Sequence, residues 1–578
     1  MKRQLPIHPL LFALFPVLSL YSVNVDEVSL RQVLSPMLVV LAVAIIMVLL
    51  AWPVLRDLRK ASVLVSLALI LCFACGHIVR PMNDSSSGVL SNLAKAIVAA
   101  WAAILAVAAY LLWKTRRDFR KPTGLLNIVA AVMVAVPTIA IMANEMTGSG
   151  HPATTPDAPD IHLSMPETPP DIYYIILDRY PSASALQEQH GFDNREFLDY
   201  LSSKGFFVAS ESHANYAFTA YSLASSLNMT YLDELGQEVG EDSTDKEPLH
   251  DLIQDYEVWR LLQPLGYEYV HFGSWWEPTR MNASADINVN RGPRLSEFSM
   301  TLLRNTILDP IGIGLGLWGD PRKAQWERVR YEFDKLAEIS ERQGPTFVFA
   351  HFTVPHPDFV FDRDGSFLTP ELAAQRTTDA QYIDQLVATN KMVETLIDRL
   401  LANSETPPII VIQGDEGDIP WGIDWNDASW DQVTDTELRE ELGILNAYYF
   451  PGTDGKTLYP SITPVNSFRE VFNLYFDADL KLLPDRSYIA RPGKPYAFYD
   501  VTDRLEYNSN REAHAWTVGK QPNMCHSLAS PRQELTPMVC RPVMCWPVTR
   551  FALCAPSPND GCTMCGLRGQ ATHGTGQN

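Results

Sequence analysis

Three apolar runs in this chain end in groups that can do chemistry. DIYYIILD (171–178) ends on Asp178, TFVFAHF (346–352) carries His351 and leads to His356, and PPIIVIQGDEGD (407–418) delivers Asp415 and Glu416. The three carboxylates are hard oxygen donors. They suit magnesium, manganese, calcium or zinc, and a cluster drawn from separate strands fixes coordination geometry. Each alone also reads as a helix cap or a solvated turn, an alternative weakest for Asp178 and Asp415, which end the most apolar runs. A fourth segment, HANYAFTAYSLASSLNMTYL (213–232), is dense in hydroxyls: Thr219, Ser222, Ser225 and Ser226. At a helix N-terminus, backbone N–H groups hold an anion and the dipole favours a deprotonated oxygen. A metal on that oxygen lowers its pKa further. The plain alternative is an N-cap.

The two histidines divide differently. His356, between Pro355 and Pro357, reads as a group that meets the substrate; His351 reads equally well as a core residue. In HFGSWWEPTR (271–280), Trp276 and Arg280 can form a substrate wall with an anion-binding guanidinium, or an aromatic core corner.

Elements able to position these groups are legible. Helical patterns around 322–342 and 379–402 precede the second and third runs. Short buried strands alternating with helices predict an α/β fold with a mainly parallel sheet. Ligands bind beyond the carboxyl ends of such strands, where Asp178, the histidines, Asp415 and Glu416 all fall. This soluble domain spans 170–505 and follows a Pro/Ser/Thr/Gly-rich linker at 146–169.

Residues 1–145 are of another kind. Five stretches, roughly 5–23, 31–55, 61–79, 92–114 and 123–145, read as long and apolar enough to cross a bilayer, which takes ~20 residues. The first, broken by Pro6, Pro9 and Pro16, is the weakest. Lys2 and Arg3, then Arg56, Arg59 and Lys60, then Lys114, Arg116, Arg117, Arg120 and Lys121 crowd alternate connections. The other connections hold only Arg31 and Arg80, with Lys95 near a span start. This bias puts the charge-rich ends in the cytoplasm and the soluble domain outside, at the cell membrane. Ionisable groups are almost absent from mid-span, and His77 lies near a span end, so the bundle reads as an anchor and not a conduit. The formal net charge of −21, with no basic stripe, argues against nucleic acid as a partner. Cys72 and Cys75 lie in a span, 146–524 holds no cysteine, and the other six fall in a Cys/Pro-rich tail, 506–578, read as disordered or non-native.

Together, DIYYIILDRYPS, NYAFTAYSLASSLNMTYL, GSWWEPT, FVFAHFTVPHPDFVF, VIQGDEGD, ILNAYYFPG and LYPSITPVNSFREVFNLYF resemble the alkaline phosphatase superfamily. The resemblance covers about 170–505 and is to its sulfatase-like membrane branch, which includes lipoteichoic acid synthases and phosphoethanolamine transferases. It implies a metal set of Asp178, Thr219, Asp415 and Glu416, with Thr219 as nucleophile and His356 on the substrate side. It also implies attack on a phosphorus or sulfur centre, a covalent intermediate, and release by water or an acceptor alcohol. The lipid bilayer and a lipid-linked or glycan phosphoester are the implied partners. Two departures matter. T-A-Y-S-L replaces the C/S-x-P-x-R of formylglycine sulfatases, which favours phospho-group chemistry. Glu416 stands where the family has histidine; an all-oxygen set favours manganese or magnesium over zinc, with calcium also admissible. Two alternatives stay open: a sulfate ester hydrolase without formylglycine, and an inactive scaffold of the same fold.

Overall fold

The protein is seen here as a computed structural model. It describes residues 5–505 except 84–87, 148–160, 293–294, 315–319, 419–432, 454–456 and 492. The tail 506–578 and most of the linker lie outside the described residues, as does the side chain of His77.

The N-terminal region is all helical: α1 (His8–Ser22), α2 (Leu30–Leu55), α3 (Leu58–Asn83), α4 (Gly88–Lys114) and α5 (Arg120–Thr147). Helices α2 to α5 are long and apolar enough to cross a membrane. Their outward faces carry exposed Leu50, Val54, Ile128, Val136 and Ile139, the pattern of helices solvated by lipid. The first expected span is shorter than the rest. At 15 residues α1 rises ~22 Å, below the ~30 Å of a bilayer core. It begins inside the bundle, where Asn127 Oδ1 accepts the N–H groups of Ile7 (3.1 Å) and His8 (3.0 Å), donors that α1 itself leaves unpaired.

The soluble domain is built on a seven-stranded sheet: β1 (Ile172–Leu177), β2 (Phe207–Val208), β3 (Glu268–Phe272), β4 (Ile287–Val289), β5 (Thr346–Phe352), β6 (Ile409–Gly414) and β7 (Asn446–Tyr449). The order is β2-β7-β6-β1-β5-β3-β4. Strands β6, β1, β5, β3 and β4 run parallel, and β7 joins β6 antiparallel. Central β1, β5 and β6 are buried at every position, which explains why they read as unbroken apolar runs.

Side-chain alternation sorts these strands into two cores. Ile172, Tyr174 and Ile176 share a face with Phe347, Phe349, Ile409 and Val411, and pack on Leu223, Ala224 and Leu227 of the Thr219–Asn228 helix. Tyr173, Ile175 and Leu177 face the other way with Val348, Ala350, Ile410 and Ile412, against Val329, Phe333, Leu386 and Val393. Each fully buried Ile or Leu stabilises this layering by ~1.5–3 kcal/mol.

The soluble domain touches the bundle at one end. Thr244 Oγ1 donates to Asp26 Oδ1 (2.7 Å), Lys246 Nζ pairs with Glu27 (2.5 Å), and Asn144 of α5 also reaches Asp26 (3.1 Å). The opposite end holds the charge-rich connections, joined where Lys60 Nζ donates to the Thr115 carbonyl (2.5 Å).

Candidate metal centre

Register decides which strand-end groups meet. β1 is flanked by β5 and β6, with Ile176 across from His351 and Leu177 across from Gly414. Continuing the period-2 alternation from Ile172, Tyr174 and Ile176 puts Asp178 on the face of the Thr219–Asn228 helix. Phe347 and Phe349 lead to His351 on that face, and Ile409 and Val411 lead to Asp415. Asp178, His351 and Asp415 are all buried and offer ligand atoms within 4.8 Å of one another. Gly414 is required just before Asp415, since any Cβ there would collide with the Tyr180 carbonyl.

Each member is held so that one atom faces the centre. Asp415 Oδ1 accepts two backbone N–H groups, from Arg179 and Glu416 (3.0 Å each). Its Oδ2 has no hydrogen-bond partner, nor has Asp178 Oδ1. His351 Nε2 lies 3.6 Å from Asp178 Oδ2, too far for a hydrogen bond, and is also unpartnered. Its Nδ1 is anchored to Thr279 Oγ1 (2.8 Å), which contacts Ser274 Oγ (2.8 Å), which accepts the Trp276 N–H (3.0 Å). His271 fixes Thr279 from the other side, Nε2 against the Thr279 carbonyl (2.8 Å) and Nδ1 against Tyr269 Oη (3.0 Å). Burial drops the His271 pKa to about 4, so it is a neutral strut.

Thr219 opens its ten-residue helix with its hydroxyl beside the Asp415 carboxylate. The preceding residue, Phe218, has φ +70°, a left-handed conformation that costs a non-glycine residue ~1–3 kcal/mol and recurs where a site over-determines the backbone. Burial, then the charge of Asp178, pushes Asp415 upward to about 7. Burial opposes the Asp178 charge too, yet His356, His351 and Arg179 hold that carboxyl below its usual range.

The remaining predicted residues surround this centre. Glu416 Oε1 accepts from Arg179 Nε (3.0 Å); its Oε2 is buried and unpartnered, but the three-residue cluster does not include it. His356 donates its backbone N–H to the Asp178 carbonyl (3.1 Å), turns its ring Nδ1 to the Pro357 carbonyl, and lies 6.0 Å from the Trp275 ring. Trp276 sits edge-on to His351 at 6.1 Å. Arg280 folds back as a fork onto Glu277 (2.9 and 3.0 Å). Sequence reasoning left His351 between core and site and did not reach Thr279, Ser274 or His271. The signal for His351 was its even spacing from Phe347 and Phe349.

These residues fit a divalent cation. Three buried unpartnered atoms converge, two of them carboxylate oxygens. Asp178, Glu416, Asp418 and fully buried Glu441, both of whose oxygens are unpartnered, surround the Arg179 guanidinium, and Asp415 accepts the Arg179 backbone N–H. Buried charge of one sign is costly without a counter-ion. The donor set also differs from the all-oxygen expectation, because His351 adds an imidazole and so admits zinc as readily as manganese.

No protein-family model and no curated protein matches the sequence. Among solved structures, the C-terminal periplasmic domain of EcEptC from Escherichia coli, in complex with Zn, aligns with 60% of this chain and 98% of its own, at 11% identity and a TM-score of 0.39. The integral membrane lipooligosaccharide phosphoethanolamine transferase A of Neisseria meningitidis aligns over 81% of this chain and 95% of its own, at 11% identity and TM-score 0.38. The putative sulfatase yidJ of Bacteroides fragilis aligns over 53% and 74%, at 13% identity and TM-score 0.32. Likenesses at this level transfer no activity.

Proposed function

We propose that the chain is a multi-pass membrane enzyme whose extracytoplasmic domain uses a divalent metal to transfer or hydrolyse a phosphate ester of envelope lipid or glycan, with Thr219 as nucleophile. The observation behind this reading is the convergence of Asp178, His351 and Asp415 from adjacent parallel strands, with Thr219 beside Asp415 at a helix N-terminus. The placement outside the cytoplasm is supported by the domain's contacts, which fall at the bundle end opposite the Lys/Arg-rich connections.

Asp178, Asp415, His351 and Thr219 would hold the metal, with Glu416 alongside as a further carboxylate; manganese or zinc suits these donors best. When bound, the metal supplies positive charge that favours an ionised oxygen over a neutral one. Asp415, beside the Thr219 hydroxyl, takes its proton as Oγ1 attacks. The bond from phosphorus to the leaving oxygen breaks as the bond to Oγ1 forms, and His356 delivers a proton to the leaving oxygen. First-turn N–H groups of the Thr219–Asn228 helix meet the anionic oxygens. Water or an acceptor alcohol then releases the group from Thr219. Trp276 and Arg280 line the approach.

The test is Thr219→Ala in the full chain, assayed on phosphodiester and sulfate ester substrates. Loss of turnover with metal content retained supports the reading; unchanged phosphodiester turnover refutes Thr219 as nucleophile. Turnover of sulfate esters alone would assign the same site to sulfate chemistry, and absence of any bound or activating divalent metal would favour an inactive scaffold.

A further inference from the structure

One part of the soluble domain leaves its own core and enters the helical bundle. The Glu297–Arg304 helix packs on α1 and α2, and the chain then turns through Asn305, Thr306 and Ile307 into a second short helix, Leu308–Gly314. At the turn, the Ile307 N–H donates to the Cys72 carbonyl of α3 (2.8 Å). Ile307 packs against Cys75 of α3, which also takes Ile97 and Trp101 of α4. Gly76 faces the Asn305 backbone so closely that any Cβ there would collide with it.

The depth follows from the helices. In the sequence, Cys72 lies eight residues, ~12 Å along α3, before Arg80, the first charge at that end. Trp101 lies six residues, ~9 Å along α4, past the charge of Lys95. Irregular backbone survives at membrane depth only where protein satisfies its polar groups. The Ile307–Cys72 hydrogen bond does this, and a glycine provides the close approach. Leu308, the next residue, is 47% exposed. Ile307 and Leu308 are the apolar pair of this turn, between Arg304 on one side and Asp309 on the other in the sequence.

We infer that residues 305–308 form an elbow of the soluble domain that is inserted among the acyl chains of the catalytic-side leaflet and wedged against α3 and α4. The domain is thus bound to the lipid itself, and not merely tethered by its linker. The inference is independent of catalysis, so it stands or falls apart from the proposed activity.

The experiment uses the full chain in vesicles of equal phosphatidylethanolamine and phosphatidylglycerol, with Leu308→p-benzoylphenylalanine as a photo-crosslinker. The control places the same group at Leu372, which is 41% exposed on a short helix that follows β5. Mass spectrometry after irradiation reads covalent lipid adducts. Lipid adducts at position 308 and none at 372 are expected. Equal yields at both positions, or no lipid adduct at 308, overturn the inference. A second variant, Gly76→Leu, should displace the elbow and abolish the adduct at 308 while helicity is retained; an undiminished adduct would refute the wedge against α3.

Discussion

Thr279 offers the sharpest test of the metal centre, because it touches no substrate and yet sets the state of a ligand. Its hydroxyl is fully buried and bridges His351 Nδ1 and Ser274 Oγ, at 2.8 Å each. If His351 Nδ1–H donates to Thr279, and Thr279 O–H donates to Ser274, then Nε2 keeps its lone pair for the centre. Thr279→Val keeps the shape and removes the hydroxyl. His351 Nδ1 then loses its partner, and the ring no longer has a fixed tautomer. Loss of such an outer partner costs 10- to 100-fold in metal affinity, or ~1.4–2.8 kcal/mol. The unpaired buried nitrogen also costs ~1–3 kcal/mol of stability, seen as a lower Tm. The assay is competition between the full chain in detergent and a fluorescent chelator for manganese and for zinc. Thr279→Ser should behave like the parent, and Ser274→Ala should weaken binding in the same direction by a smaller factor. Folded Thr279→Val protein binding both metals within about twofold of the parent would refute His351 as a ligand held by Thr279.

Other expectations follow from the same geometry. Asp415→Asn should reduce metal binding far more than Glu416→Gln, because Glu416 already gives one oxygen to Arg179; equal losses in a chelator competition would place Glu416 among the ligands. Stripping the metal should lower Tm, since buried Asp178 and Asp415 would then face each other beside Glu416 and Glu441 without its charge; a melting curve indifferent to chelator would contradict this. Glu297 is pushed up to about 7 by burial and by Glu277 and Glu27. The folded state therefore holds its proton more tightly than the unfolded chain, and stability falls as pH rises from 4.5 through 7. Glu297→Gln should raise Tm above pH 7 and leave it unchanged below 4.5. The gain is at most ~3 kcal/mol, and less because the residue keeps some solvent contact. A variant that tracks the parent at every pH would remove Glu297 as the cause.

The chain wrote its layers plainly because each rests on local pattern. Unbroken runs at 171–178, 346–352 and 407–414 are β1, β5 and β6, since strands buried on both faces need no polar alternation. Long apolar stretches became α2 to α5 for the equally local reason that lipid demands apolar surface over a fixed length. Asp178 and Asp415 were legible as acids ending such strands, and Thr219 as a hydroxyl opening a helix. The choice between His351 and His356 was not legible. One lies in β5 and the other four residues past its end, and only the pairing of Ile176 with His351, together with side-chain parity, puts the first at the centre and leaves the second at its rim. Glu416 and Arg280 were read from residue type, but each found a partner, Arg179 and Glu277, that only the fold brings within reach or orients. Thr279, Ser274 and His271 lie 72 residues or more before His351, and although their bonds to one another are local, the one from Thr279 to His351 exists only because β3 lies beside β5. The strand ends and the helix start were thus determined by sequence, whereas the tertiary structure decided which of their polar groups share one buried space, because register and parity are properties of paired strands and not of any one of them.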